Sequence, residues 1–218
     1  DVAIQDLPVV MCLDRGGLVG EDGETHHGLF DVAYLDSVPH MTVLAPSSFA
    51  ELETMLEHAL FHMDGPVAVR YPRGGEGRYT GTGGDSVSTV LRRGEDITMV
   101  SYGTEINAIL ESAEMLEKQG IQAEIIKLNQ LSPLITNQIE RSAQKTGVLL
   151  VAEECAEQGC IGYRLAARLE MAGIPAKVEL INCGTDFVPH GSAELLRKSL
   201  SLDGAGISRK VMRVLGRG

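Results

Sequence analysis

The segment from Asp14 to Gly28, DRGGLVGEDGETHHG, combines residue types that could bind an anion and move a proton. It directly follows LPVVMCL, an apolar run typical of a buried strand. Arg15 offers a planar fork of donors for a phosphate or carboxylate. His26 can exchange a proton near neutral pH, and Asp22, four residues earlier, could orient it. The alternative interpretation of this sequence is an ordinary surface loop, with glycines for turns and charges for solubility.

A second segment, RYPRG at residues 70–74, also follows an apolar strand pattern, PVAVRY at 66–71. Arg73 suits an anion, and Tyr71 could hydrogen-bond to a ligand or stack on it. A charged turn is the alternative interpretation. Ligands of α/β folds bind at the carboxyl ends of parallel strands. Two arginines that follow two strands therefore favour a shared anion pocket over two unrelated turns.

Strand and helix patterns alternate along the chain, which predicts an α/β fold with a parallel sheet. The predicted strands lie at 8–13, 41–46, 66–71, 121–128, 148–154 and 177–183, with two more around Gly94 within 88–103. The predicted helices lie at 29–38, 47–63, 104–120, 136–147, 162–173, 192–200 and 204–215.

A glycine-rich stretch at 74–84 interrupts this alternation and is typical of a flexible linker. It predicts a first unit at 1–75, a linker at 76–86 and a second unit at 87–218. The second unit has the size of a complete domain, about 130 residues. The first has only three predicted strands and two helices, so we expect it to be the second half of a domain. We also expect its sheet edge to be covered by another molecule.

Composition narrows the possible functions. The net charge of −11 argues against nucleic-acid binding, which needs a basic face. No apolar run reaches the ~18 residues of a membrane span. The four cysteines match no common zinc spacing, so the sequence predicts no metal site in this chain. Reduced thiols and the absence of a visible signal peptide favour a cytoplasmic protein.

Several segments together closely resemble the 1-deoxy-D-xylulose-5-phosphate synthases, thiamine-diphosphate enzymes of the transketolase group. They are DRGGLVGEDGETHHGLFDVAYL, MTVLAPSSFAELETML, GPVAVRYPRG, VAEECAEQGCIG, GTDFVPHGS and LSLDGAGI. The resemblance covers essentially the whole chain. It implies the second half of a pyrimidine-binding domain, followed by a transketolase C-terminal domain of three α/β/α layers.

The resemblance also implies a reaction, which the residues alone do not. Pyruvate and D-glyceraldehyde 3-phosphate would be joined with loss of carbon dioxide, for isoprenoid, thiamine and pyridoxal biosynthesis. The cofactors would be thiamine diphosphate and Mg²⁺, with their main binding motifs expected upstream of Asp1. A homodimer in the cytoplasm is expected, and this chain by itself should be inactive. Without a ligand, the loop at 16–28 should be mobile.

Site roles follow from the same resemblance. Arg15 and Arg73 would hold the phosphate of the acceptor, with Tyr71 lining the phosphate end. His26 would hydrogen-bond to the reacting oxygens, with Asp22 beside it.

Two alternatives stay open. A β chain of a 2-oxo acid dehydrogenase shares the domain order but binds no sugar phosphate, so Arg15 and Arg73 argue against it. A non-catalytic dimerisation module is the other, and the apolar helix within 159–173 could form its interface.

Overall fold

A four-stranded sheet forms the frame of the first unit in this computed structural model, which describes residues 1–217. Its strands are β1 (Val10–Leu13), β2 (Thr42–Leu44), β3 (Val67–Arg70) and β7 (Gln130–Ser132). The strand order is β1-β3-β2-β7, with the first three parallel and β7 antiparallel to β2. All four residues of β3, the central strand of the parallel part, are buried.

A five-stranded sheet forms the second unit. Its strands are β4 (Ser88–Arg92), β5 (Ile97–Tyr102), β6 (Ala123–Leu128), β8 (Val148–Ala152) and β9 (Lys177–Ile181), in the order β4-β6-β5-β8-β9. Only β4 runs antiparallel to its neighbour. Every residue of β5 and β6 is buried, as expected for parallel strands covered on both faces.

Seven α-helices cover these sheets within residues 1–217. They are α1 (Asp31–Asp36), α2 (Phe49–Phe61), α3 (Ile106–Glu117), α4 (Asn137–Thr146), α5 (Ile161–Met171), α6 (Ala193–Ser199) and α7 (Gly204–Val214). In the second unit, α3, α6 and α7 supply the apolar side chains of one core, and α4 and α5 those of another. The five-stranded sheet and the helices of these two cores form the predicted three α/β/α layers. None of the described helices is long and apolar enough to cross a membrane.

The α/β architecture with parallel strands is confirmed, and so are both strands around Gly94 and the two C-terminal helices. The sequence patterns missed β7, which has only three residues and directly follows β6. This strand comes from the second unit and pairs with β2 of the first. One edge of the first sheet is therefore covered by the same chain. The expectation that another molecule covers an edge stays a prediction, and it concerns the two edge strands, β1 and β7.

A buried ion pair joins the two units. Lys127 on β6 and Glu51 on α2 are both fully buried, and their charged groups lie 2.9 Å apart. Tyr79, from the segment between the units, donates its hydroxyl hydrogen to Glu51 at 2.7 Å. One apolar core also contains side chains of both units, among them Val43 and Val100. Tyr79 thus anchors the predicted linker, residues 76–86, to this buried ion pair.

Candidate functional site

Two strand ends lie side by side and carry the predicted anion-binding residues. Strands β1 and β3 are parallel neighbours, and Leu13 is in register with Arg70. Arg15 follows the first strand and Arg73 the second, so both lie at the carboxyl edge of the sheet. Arg15 has a φ of +60°, which is unusual for a residue with a side chain and is found at functional sites.

Asp22 links the two arginines. One of its carboxylate oxygens accepts a hydrogen bond from Nε of Arg15 at 3.0 Å, and the other accepts one from Nη1 of Arg73. The hydrogen bond from Arg15 is the largest cause of the lowered pKa of Asp22. A carboxylate that is ionised between two guanidinium groups fixes the distance between them. The predicted convergence of Arg15 and Arg73 is present in the structure.

His26 lies apart from this triad. Its Nδ1 is 2.9 Å from the hydroxyl of Thr25, and its side chain is exposed. Among the described residues no hydrogen bond joins Asp22 to His26, and both oxygens of Asp22 accept from arginines. That Asp22 orients His26 stays a prediction. Nε2 of His26 has no hydrogen-bond partner among residues 1–217, so it can reach a ligand.

Tyr71 lies in a different wall from Arg73. Its ring packs against the small apolar core of the first unit, together with Leu52 and Met63. It lines a cavity with Ser48, whereas Arg73 lines the neighbouring cavity on the side of the second unit. Its proposed contact with the phosphate end stays a prediction.

The loop that carries Arg15 and Asp22 is closed at its base. Gly17 and Gly28 exchange two backbone hydrogen bonds, of 2.8 and 2.9 Å. Arg70, which is buried, donates to Asp31 at 2.6 Å and to the carbonyl of Gly28 at 3.0 Å. Residues 16–20 are buried. The expected mobility therefore concerns the exposed tip, and it stays a prediction there.

The second unit holds the loop in place. Glu154, two residues after the end of β8, accepts a hydrogen bond from the backbone N–H of Leu18 at 2.9 Å. The 3-10 turn Gly20–Asp22 packs on the start of α6, so closely that a Cβ on Gly20 would lie 2.7 Å from the nitrogen of Ala193. His27 is also buried, and its Nδ1 accepts a hydrogen bond from the backbone N–H of Val19 at 3.2 Å.

Sequence reasoning missed Arg70, Glu154 and Arg197, which together surround the base of the loop. Arg70 donates to the backbone carbonyl of Glu154 at 3.1 Å, and Nε of Arg197 donates to the Glu154 side chain. A signal existed for two of them. An arginine ends the apolar run of β3, and Glu154 follows the apolar run of β8, so both charges lie at strand ends.

No group of three or more His, Cys, Asp or Glu residues within residues 1–217 could hold a metal ion. The four cysteines form no disulfide, and three of them are buried.

Comparison with known proteins gives this geometry its context. Residues 1–75 match the family described as "Transketolase, pyrimidine binding domain", and residues 87–207 match "Transketolase, C-terminal domain". The chain belongs to the transketolase family. Two arginines and an aspartate at the strand ends of its first unit are thus the candidate site of a transketolase-family chain.

Curated relatives are similar over nearly the whole chain. The 1-deoxy-D-xylulose-5-phosphate synthase of Heliobacterium modesticaldum is 39% identical over 219 residues, which is 96% of this chain and 33% of that protein. The synthase of Gloeobacter violaceus is 39% identical over 221 residues, which is 99% of this chain and 35% of that protein. The chain spans about a third of the length of these relatives.

Solved structures give the same family. A protein described as "Split gene transketolase, inactive beta4 tetramer" has a TM-score of 0.86 and 26% identity over 99% of this chain and 69% of its own. A transketolase mutant from Pichia stipitis has a TM-score of 0.78 over 99% of this chain and 31% of its own. At 17% identity the second similarity concerns the fold alone.

Proposed function

We propose that this chain is the C-terminal part of a 1-deoxy-D-xylulose-5-phosphate synthase and that it supplies the acceptor-binding site. The reaction joins pyruvate with D-glyceraldehyde 3-phosphate and releases carbon dioxide. The observation that carries the proposal is the Arg15–Asp22–Arg73 triad at adjacent strand ends. The curated relatives, which carry the name of this enzyme, support the choice of reaction.

Arg15 and Arg73 fit the phosphate of the acceptor. Guanidinium groups bind phosphate through charge-assisted, often bidentate hydrogen bonds. Both side chains are about half exposed, at 41% and 49%, so a ligand can reach them from solvent. Asp22 holds them at a fixed spacing before the phosphate arrives. A β chain of a 2-oxo acid dehydrogenase has no phosphate to bind, so the triad favours the synthase.

His26 fits the other end of the acceptor. Its Nδ1 contacts Thr25, and its Nε2 is left to hydrogen-bond to a carbonyl or hydroxyl oxygen of the substrate. An imidazole can also give or take a proton there near neutral pH. His26 lies on the same closed loop as Arg15. Binding the phosphate at Arg15 would therefore place the acceptor's carbon chain along this loop.

Thiamine diphosphate and Mg²⁺ belong to the proposed enzyme, but the described residues provide no cluster of metal ligands for them. We propose that the diphosphate of the cofactor and its metal are bound by other residues. This chain alone is then inactive. The split-gene relative, which is described as an inactive β4 tetramer, supports that part of the proposal. We propose a homodimer in the cytoplasm for the whole enzyme.

The test is an assay with pyruvate, D-glyceraldehyde 3-phosphate, thiamine diphosphate and Mg²⁺. It compares the 218-residue chain with an enzyme that carries this chain as its C-terminal part. We expect the larger protein to form 1-deoxy-D-xylulose 5-phosphate and the chain alone to stay at background. Mass spectrometry must show that the chain contains no longer species.

Turnover by the chain alone would overturn its predicted inactivity. If the larger protein released carbon dioxide from pyruvate but showed no preference for a phosphorylated acceptor, the proposed acceptor site would be wrong. If neither protein acted on pyruvate, a non-catalytic module would be the better interpretation.

A further inference from the structure

A polar cavity lies between the two units, next to the acceptor triad. Its volume is about 320 Å³. The first unit contributes Arg73 and the glycines that follow it, and the second unit contributes Thr104, Asn107 and Arg197. Arg73 belongs to the triad, so the cavity adjoins the site proposed for the acceptor phosphate.

Arg197 enters this cavity from α6, more than 120 positions after Arg73. Its Nε is bonded to Glu154, and its side chain is 32% exposed. Among the described residues, no acceptor is hydrogen-bonded to its Nη1 or Nη2. A guanidinium that is fixed at Nε, with its outer nitrogens free, is prepared to bind an anion.

Glu105 also lines the cavity, and it is buried. Neither of its carboxylate oxygens has a hydrogen-bond partner among the described residues. Ionising a carboxylate that is buried and has no hydrogen-bond partner costs free energy. Burial is the largest cause that raises the pKa of Glu105 well above its ordinary value, and the nearby Glu154 raises it further. In its neutral form, Glu105 adds no negative charge beside Arg73 and Arg197, whose carboxylate partners are Asp22 and Glu154.

We infer that Arg197 is a third substrate-binding arginine and that it contacts the phosphate of the acceptor together with Arg73. The inference rests on the proposed function and extends it, because it assigns part of the substrate site to the second unit. Two guanidinium groups on opposite walls can hold a phosphate dianion between them. Glu154 then has two tasks, since it orients Arg197 and also accepts from the loop at Leu18.

The test uses Arg197→Gln in the whole enzyme, with two acceptors, D-glyceraldehyde 3-phosphate and D-glyceraldehyde. We expect kcat/KM to fall about 10- to 100-fold with the phosphorylated acceptor, as for a lost charge-assisted hydrogen bond. With the unphosphorylated acceptor it should change less than about threefold. Arg197→Lys should recover part of the loss, because it restores the charge without the fork.

A binding measurement keeps the inference testable without turnover. Calorimetry with glycerol 3-phosphate, which cannot react, should show weaker binding to Arg197→Gln than to the unchanged enzyme. The matched control is Arg213→Gln, an exposed arginine on α7 that does not line this cavity; it should bind normally. Circular dichroism must show that each variant is folded.

The outcomes that test the role of Arg197 can be distinguished from those that test the proposed reaction. Equal losses with both acceptors, or unchanged glycerol 3-phosphate binding, would mean that Arg197 only supports the loop, and the inference would be wrong. Absence of turnover in the unchanged enzyme would contradict the proposed function. Selective loss of glycerol 3-phosphate binding in Arg197→Gln would still support the inference in that case.

Discussion

At the scale of single residues, Asp22 converts two separate arginines into one site, since it accepts from Arg15 and from Arg73. Replacing either arginine by alanine in the whole enzyme should mainly weaken use of the phosphorylated acceptor. The loss of a charge-assisted bond costs about 1.5–3 kcal/mol, or roughly ten- to a hundredfold in kcat/KM. Lysine should rescue only partly. The control is Arg93→Ala, which removes a 78% exposed arginine of the second unit that does not contact the triad. Normal acceptor kinetics in both alanine variants would show that Arg15 and Arg73 do not bind the phosphate of the acceptor.

The thiols give a second prediction at this scale. Burial is the main cause that raises the pKa of Cys160 to about 11, and burial also raises the pKa of Cys155 and Cys183. Because the thiolate is the reactive form, these three should resist modification at pH 8. Cys12 is exposed. A DTNB titration should count one fast thiol in the native chain and all four after denaturation, and Cys12→Ser should abolish the fast one. If more than one thiol reacted fast in the native chain, the burial of Cys155, Cys160 and Cys183 would be contradicted.

Residue types and strand ends were sufficient to predict that Arg15 and Arg73 converge. They were insufficient for Glu154, because its contact with Leu18 spans 136 positions and two units. The same limit applies to Asp22 and His26. A spacing of four residues suggested a contact, but in the folded loop Arg73, from another strand end, reaches the carboxylate instead.

At the scale of elements, substitutions at two glycines of one loop distinguish the cost of backbone strain from the cost of a steric clash. Gly20 and Gly23 both have positive φ, of +64° and +83°. An added Cβ on Gly20 would collide with the start of α6, whereas on Gly23 it would meet only the ring of His190 at 3.8 Å. Gly23 combines its positive φ with a ψ of −175°, a conformation essentially limited to glycine, so Gly23→Ala should cost about 1–3 kcal/mol of stability from backbone strain alone. Gly20→Ala should cost a further ~1–3 kcal/mol from overpacking.

The readouts are chemical denaturation of the chain and acceptor kinetics of the whole enzyme. Gly20 begins the turn that ends at Asp22, so its variant should also raise the acceptor's KM more than the Gly23 variant does. Equal effects of the two substitutions would show that α6 does not support the loop. Sequence could not distinguish these glycines, because the distinction lies in what α6 places beside each of them.

The segment between the units is a further element with a testable property. Residues 72–84 contain no helix or strand, and a Cβ on Gly74, Gly75 or Gly83 would meet nothing within 4 Å. Limited digestion with subtilisin should therefore cut first within 74–86. Tyr79→Phe removes the hydroxyl that bonds to Glu51, so it should speed this cut. A first cut within 104–183 would contradict the division into two units.

At the scale of the whole molecule, the buried pair of Glu51 and Lys127 joins the two units, so it should help to make them unfold together. Glycine content alone predicted the position of the linker. It could not predict an ion pair between α2 and β6, because neither sequence segment differs from an ordinary helix or strand. Apolar residues of both units also share a core. We therefore expect one cooperative transition in calorimetry, and two separated transitions would contradict this interface.

Removing one partner tests the pair directly. Lys127→Met leaves the Glu51 carboxylate buried without its cation and should lower the free energy of unfolding by about 3–5 kcal/mol. Glu51→Gln should also destabilise, because burial already lowers the pKa of Lys127 and the ammonium would lose its counter-ion. The double variant buries neither charge, so it should lose less than the sum of the two single losses. The measurement is a double-mutant cycle by urea denaturation. The matched control is Arg78→Met, since its pair with Glu114 is exposed and should contribute little to stability. Additive losses would show that Glu51 and Lys127 act independently, and the two units would then be joined by apolar packing alone.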